Sequence, residues 1–180
     1  MTQEQFEALQ LKLVSGVGDY ESHQACIMSA AVAKHRLMHG EDLGKATDEL
    51  ECVCPVVRSF AIALNDLSWW DSDEERTQAL MPFVDKILNT RNPELVVKRA
   101  YLCADRAMRV FAPMALEATG FKAEADKLRA CAPIVDPKSA KAASWASEAA
   151  SAASWASDKP TLKKEALRLL DDLCAMREEA

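Results

Sequence analysis

The sequence is short of glycine, with five in 180 residues, and it has few β-branched runs. Both features argue against a sheet as the main framework. It has no apolar run near the roughly 20 residues that a helix needs to cross a bilayer, so no membrane partner is expected. Its opening residues, Met1-Thr2-Gln3-Glu4-Gln5-Phe6, are polar. No signal peptide is expected, and the expected location is cytoplasmic. Histidine is scarce: His23, His35 and His39 are the only three, which leaves most thiols without a nearby base for nucleophilic catalysis. There is no Gly-x-Ser-x-Gly elbow, and Gly16-x-Gly18 lacks both a third glycine and a preceding strand. Neither a catalytic residue nor a cofactor is expected, and the chain reads as a non-enzyme.

What is present is ordinary for a globular chain: 49% hydrophobic and 28% charged residues, enough for one domain with a substantial core. The net charge of −6 is uneven. Residues 1–90 hold 7 basic against 15 acidic side chains, and residues 91–180 hold 15 against 13. An acidic front half repels phosphate backbones, so non-specific nucleic-acid binding is not expected. The acids are scattered rather than set in an even strip, which argues against imitation of nucleic acid. Six cysteines without an export signal are expected to be reduced thiols.

Apolar side chains recur every three or four positions almost throughout, so the expected fold is all-α: a single-domain helical bundle of about eight helices with a C-terminal helical hairpin. Residues 1–132 are expected to form a helical core domain. Residues 133–180 are expected to form an Ala/Ser/Trp-rich helix followed by an amphipathic C-terminal helix. Phe6, Leu9 and Leu13 predict a helix over 3–15. Asp19 or Ser22 is expected to cap a second helix reaching Met38, and Pro55 to open a third. Ser72 with Glu75 matches a capping box for a fourth, which Pro82 divides. A small helix follows from Phe121 to Ala132. The run Ala142–Ser147 recurs as Ala152–Ser157, and its small residues align in rows that admit a close neighbour. Leu162, Ala166, Leu169, Leu170, Leu173 and Met176 mark the last helix.

The longest element is expected from Asn92 to Gly120. Asn92 and Pro93 suit a helix start, and Gly120 suits its end. Val96, Val97, Ala100, Tyr101, Met108, Phe111 and Met114 lie on a wide apolar arc that should face inward. Pro113 predicts a kink or a break. Lys98, Arg99, Asp105, Arg106 and Arg109 lie on the opposite arc. A solvated face or an ion-pair network accounts for them, and an anion site is the sharper alternative.

Candidate ligand-binding residues are Asn65, Asp66, Arg91, Arg99, Asp105 and Arg109. As a concave cluster they would suit an anionic small molecule; as a closed one they would be structural. No metal site is expected. The weak candidates are His23 and Cys26 with Cys52 and Cys54, whose one-residue gap is poor for a zinc knuckle. His35 and His39 stand four apart, but with Lys34 and Arg36 they suit the negative end of a helix dipole better than a metal.

Cys52-Val53-Cys54-Pro55-Val56, Leu64-Asn65-Asp66, Arg76-Thr77 with Leu80-x-Pro82, Thr90-Arg91, Arg99-Ala100 and Ala104-Asp105-x-x-x-Arg109-x-Phe111-Ala112-Pro113 resemble a group of uncharacterised bacterial and phage helical proteins. His23-x-x-Cys26 and Ala46-Thr47-Asp48 look like the same group. The resemblance covers about half the chain and brings no activity with it. It implies that Asn65, Asp66, Arg91, Asp105 and Arg109 form one recurring arrangement. The expected function is that of a cytoplasmic protein-binding protein, a phage or mobile-element accessory that modulates host machinery. A protein partner is expected, reached through Trp69-Trp70, the tryptophan-bearing helix or the last helix, and the C-terminal helices could also join two copies. The alternative is a binder of small anionic ligands or nucleotides, or an enzyme acting on them, that uses the polar cluster on the central helix.

Overall fold

The computed structural model describes residues 3–137, 139 and 159–176. It is mostly helical, with one small three-stranded sheet, and the helix count differs from the expected eight. The chain divides into two compact units, Met1–Pro93 with Leu170–Ala175 and Glu94–Leu169 with Met176–Ala180. The break in composition near residue 133 lies elsewhere.

In the first unit, α1 spans only Gln3–Ala8, not 3–15. Gln10 takes a positive φ of 48°, which ends the helix. Leu11 and Leu13 are then buried on either side of a half-exposed Lys12, the alternation of a strand rather than a helix. Strand β1 (Lys12–Leu13) pairs in parallel with β3 (Gln24–Ala25), and β2 (Gly18–Asp19) pairs antiparallel with β3. A Cβ on Gly18 would lie 2.5 Å from the Cα of Ala25. Only glycine lets these two strands approach so closely.

Helix α2 (Ile27–Met38) starts five residues after the expected cap at Ser22. Asp19 instead caps a short 3-10 turn, Tyr20–Ser22, accepting from the amide of Glu21. Cys26 is the cap of α2, its sulfur accepting from the amide of Ser29 at 3.2 Å. Ile27 to Lys34 are all buried, so this helix forms the centre of the unit. Helix α3 (Pro55–Asp66) begins at the proline as expected. Helix α4 (Asp73–Leu80) begins with Ser72 accepting from the amide of Glu75 at 3.1 Å. Pro82 sits in a 3-10 turn, Met81–Phe83, that separates α4 from α5 (Val84–Ile87).

In the second unit, α6 (Pro93–Arg106) runs through a π-helical turn, Ala107–Phe111, into α7 (Ala112–Ala118). Pro113 has no amide for the carbonyl of Arg109. The chain absorbs that loss one residue earlier, where the Ala112 amide bonds the carbonyl of Ala107, five positions back. The expected kink is therefore a π turn. Gly120, at φ +88°, closes α7 in a Schellman arrangement. Its amide bonds the Glu117 carbonyl at 3.0 Å, and that of Phe121 bonds the Leu116 carbonyl at 2.8 Å.

Helix α8 (Lys122–Arg129) folds back so that Leu128 and Ile134 pack with Met108 and Ala112, flanked by Tyr101, Ala104, Leu116 and Cys131. The inward face of α6 and α7 matches the expected arc in part: Met108 and Ala115 are buried as expected, and Tyr101 and Ala104 pack on the core. Leu95, Arg99, Asp105, Met108, Ala112 and Ala115 are buried, while Val97 is 55% exposed. The apolar arc was too wide to fix one inward direction, and two charged side chains that find partners won the interior.

Helix α9 (Lys159–Ala175) matches the expected last helix. Leu162, Ala166, Leu169, Leu170 and Leu173 are buried. The first arm of the expected hairpin, with Trp145 and Trp155, lies outside the described residues.

Candidate functional site

The residues singled out from sequence fall into three groups. The side chain of Asn65 is fully buried. Its Oδ1 accepts from the Ile27 amide at 3.2 Å, and its Nδ2 donates to the Val14 carbonyl and to Asp66 Oδ1, each at 2.8 Å. Asp66 Oδ1 also accepts from the Gly16 amide at 3.0 Å and from Ser15 Oγ at 3.3 Å. These two side chains tie the end of α3 to the segment after β1 and to the start of α2. Main-chain groups, Ser15 and the two side chains themselves take these bonds, which is a bracing role.

Asp105 and Arg109 form the second group. Arg109 donates Nε and Nη2 to the two Asp105 oxygens at 2.8 and 2.9 Å, a bidentate pair one helical turn apart. These hydrogen bonds raise the Arg109 pKa above its ordinary value, with burial opposing. Asp105 Oδ1 also accepts from the Ile134 amide at 3.0 Å, so the pair fixes the segment after α8. Arg99 is fully buried and donates Nη2 to the Met176 carbonyl at 3.0 Å. It caps the end of α9.

Arg91 stands in a different place. It lines an open cleft of about 570 Å³ together with His35, Arg36 and Cys52, and with Glu41, Glu49 and Glu51. Val32 and Leu50 complete the wall. A cleft of this volume lies within the ordinary range for small-molecule sites.

Three arginines build the cleft by holding the irregular loop 40–53. Arg36, in the last turn of α2, donates Nη1 to the Leu43 carbonyl and, at 3.2 Å, to that of Lys45. Arg58 on α3 donates Nε to the Asp48 carbonyl at 2.8 Å and Nη2 to Asp48 Oδ1 at 2.9 Å. Arg91 donates its amide to the Cys52 carbonyl at 2.9 Å and Nη1 to the Glu51 carbonyl at 3.0 Å. Thr90 supports the same corner. Its Oγ1 accepts from the Cys54 amide at 3.1 Å and donates to the Ile87 carbonyl at 2.8 Å. A loop of this length without regular structure is uncommon in a compact unit and is usually functional.

The arginines differ in what they hold. Arg58, Arg76, Arg109 and Arg129 each pair with a carboxylate. Arg36 and Arg91 each hold main-chain carbonyls through Nη1. Among the described residues neither makes an ion pair, although three glutamates line the same cleft. Both guanidinium groups are thus oriented by the fold and keep Nε and Nη2 for another acceptor.

The weak metal candidates are not gathered. His23 is exposed, with Nδ1 against the Leu9 carbonyl at 2.8 Å, and Cys26 and Cys54 are buried. Among the described residues no group of three or more His, Cys, Asp or Glu side chains is placed to hold a metal ion. His35 and His39 stack at 4.2 Å with 22° between their planes, at the end of α2. Their neighbour Lys34 is buried and pairs with Asp85.

Sequence reasoning found Arg91 but missed Arg36, His35 and Cys52 as its neighbours. The signal was there in part: a long polar loop bounded by arginines at 36 and 58. No family model, curated protein or solved structure matches the chain.

Proposed function

We propose that the protein binds a small anionic ligand, a carboxylate or a phosphate, in the cleft between the end of α2, loop 40–53 and Arg91. One observation carries this reading: two guanidinium groups are held by main-chain carbonyls through Nη1, and both arginines line one cavity without an ion pair among the described residues. Such preorganisation lowers the cost of ordering the site on binding. Of the residues read from sequence, Arg91 carries over to this site. Asn65, Asp66, Asp105, Arg109 and Arg99 support the framework. The resemblance to bacterial and phage proteins and the cytoplasmic location are carried with the proposal as expectations. No helix among the described residues is long and apolar enough to cross a membrane.

Arg91→Gln is the appropriate test. Arg91 is exposed, and its amide bond to Cys52 survives the change, so the fold should persist. Titration with inorganic phosphate and with small carboxylates is expected to raise the Tm of the natural chain in a saturable way. The shift should fall severalfold in the variant. Equal shifts in the two proteins would remove Arg91 from the site.

Protein binding retains one specific support. Val97, Phe121 and Val135 of the second unit are 55%, 55% and 69% exposed. The other surfaces expected from sequence fare differently. Trp70 is buried and donates Nε1 to the Leu64 carbonyl at 3.0 Å. The apolar row of α9 is already buried, which leaves a charged face for any second copy. A pull-down with the natural chain and with a Val97→Glu/Val135→Glu double variant tests this reading. Capture of a stoichiometric partner that the variant loses would support it.

A further inference from the structure

The cleft carries both signs of charge, and that limits what can fill it. Glu41, Glu49 and Glu51 are exposed and line the same cleft as Arg36 and Arg91. Among the described residues none of these three carboxylates makes an ion pair. The opposite charges lining one cavity therefore do not neutralise each other. Apart from His35, the lining sums to three negative against two positive charges. A simple anion drawn to the arginines would meet three carboxylates in the same cavity, and like charges brought together oppose binding.

We infer that the ligand is a zwitterion of the amino-acid or short-peptide class, with its carboxylate on Arg36 and Arg91 and its ammonium on the glutamates. This rests on the anion-site reading above and narrows it. A carboxylate can accept from the free Nε and Nη2 of a guanidinium in a paired fashion. An ammonium has three donors, which match the acceptor-only carboxylates of Glu41, Glu49 and Glu51. The volume of about 570 Å³ leaves room for a peptide of two or three small residues. Val32 and Leu50 offer apolar wall to its side chains.

The experiment titrates the full chain with alanyl-alanyl-alanine in three forms: free termini, N-acetylated and C-amidated. Inorganic phosphate is titrated alongside. Free tripeptide is expected to bind at least tenfold more tightly than either blocked form. In a Glu41→Gln/Glu49→Gln/Glu51→Gln variant, acetylation should cease to matter, while amidation still weakens binding. In Arg91→Gln the pattern should reverse. If phosphate and the acetylated peptide bind as well as the free peptide, the zwitterion inference falls and the anion reading stands. If no probe, phosphate included, binds the natural chain, both fall.

Discussion

Arg36 and Gly44 are fitted to one another. Nη1 of Arg36 lies 3.1 Å from the point where a Cβ on residue 44 would sit, and Gly44 itself has φ +57°. The guanidinium sits this close to the loop because residue 44 has no side chain, and the left-handed backbone there favours glycine.

Gly44→Ala should therefore act twice. The strained φ costs about 1 kcal/mol, and the added methyl presses on the Arg36 guanidinium and shifts it against its carbonyls. Gly16→Ala is the control: φ is +76°, but nothing lies within 4 Å of its Cβ. Both variants should lose about 2–4 °C of Tm from strain, on the scale for a chain of this size. Gly44→Ala alone should also weaken phosphate binding. Equal phosphate affinity in the two variants would show that the loop does not position Arg36 for ligand.

Asn65 braces three segments from a fully buried position. Asn65→Leu keeps the branched shape with bulkier methyl ends, but strands the Ile27 amide and the Val14 carbonyl. Each unsatisfied buried group costs about 1–3 kcal/mol, so the variant should lose about 2–6 kcal/mol in urea unfolding. Asp66→Ala loses contacts at an exposed carboxylate and should cost about 1 kcal/mol. An Asp66 variant with the larger defect would move the brace from one residue to the other.

Much of the helical frame was legible because its signals are local. Pro55, the Ser72–Glu75 cap, Pro82 and Gly120 each act within one turn of chain, and each sits where expected. The sheet was not legible. Its strands are two residues long, too short to show a period against the helical spacing of Phe6, Leu9 and Leu13. The roll of α6 was hidden because a wide apolar arc has no unique centre, and because a buried Arg99 depends on a carbonyl 77 residues away. The cleft was hidden for a related reason: Arg91 lies 40 positions from Glu51, and Arg36 and Arg91 both hold the loop by its main-chain carbonyls, which leave no trace in residue type.

Tyr20 gives a pH signature set first by burial, with the charge of Arg36 opposing. Burial pushes its phenol up to about 12, and its hydroxyl donates to the Ser29 carbonyl at 2.7 Å. A raised folded pKa means that the contribution is complete below the unfolded value near 10. Between about pH 10 and 12 the unfolded chain releases this proton and the folded chain keeps it, so stability falls with rising pH. Tyr20→Phe should flatten that part of the stability curve in urea unfolding. An unchanged slope would mean that the phenol ionises alike in both states.

Cys52 offers the most direct report on the cleft. It is half-buried and lines the cavity, whereas Cys26, Cys54 and Cys174 are buried. Iodoacetamide followed by peptide mapping should label Cys52 well before those three in the native chain, since a thiol must be reached before it reacts. Cys103 and Cys131 are also half-buried but lie in the second unit, so they serve as internal references. Saturating tripeptide with free termini should slow labelling of Cys52 severalfold while leaving Cys103 and Cys131 unchanged. If protection is uniform across the three, the ligand stiffens the whole chain rather than filling this cleft. If Cys52 stays fully reactive while the peptide demonstrably binds, the binding site lies elsewhere, and the arginine-held loop is a structural clasp rather than a recognition surface.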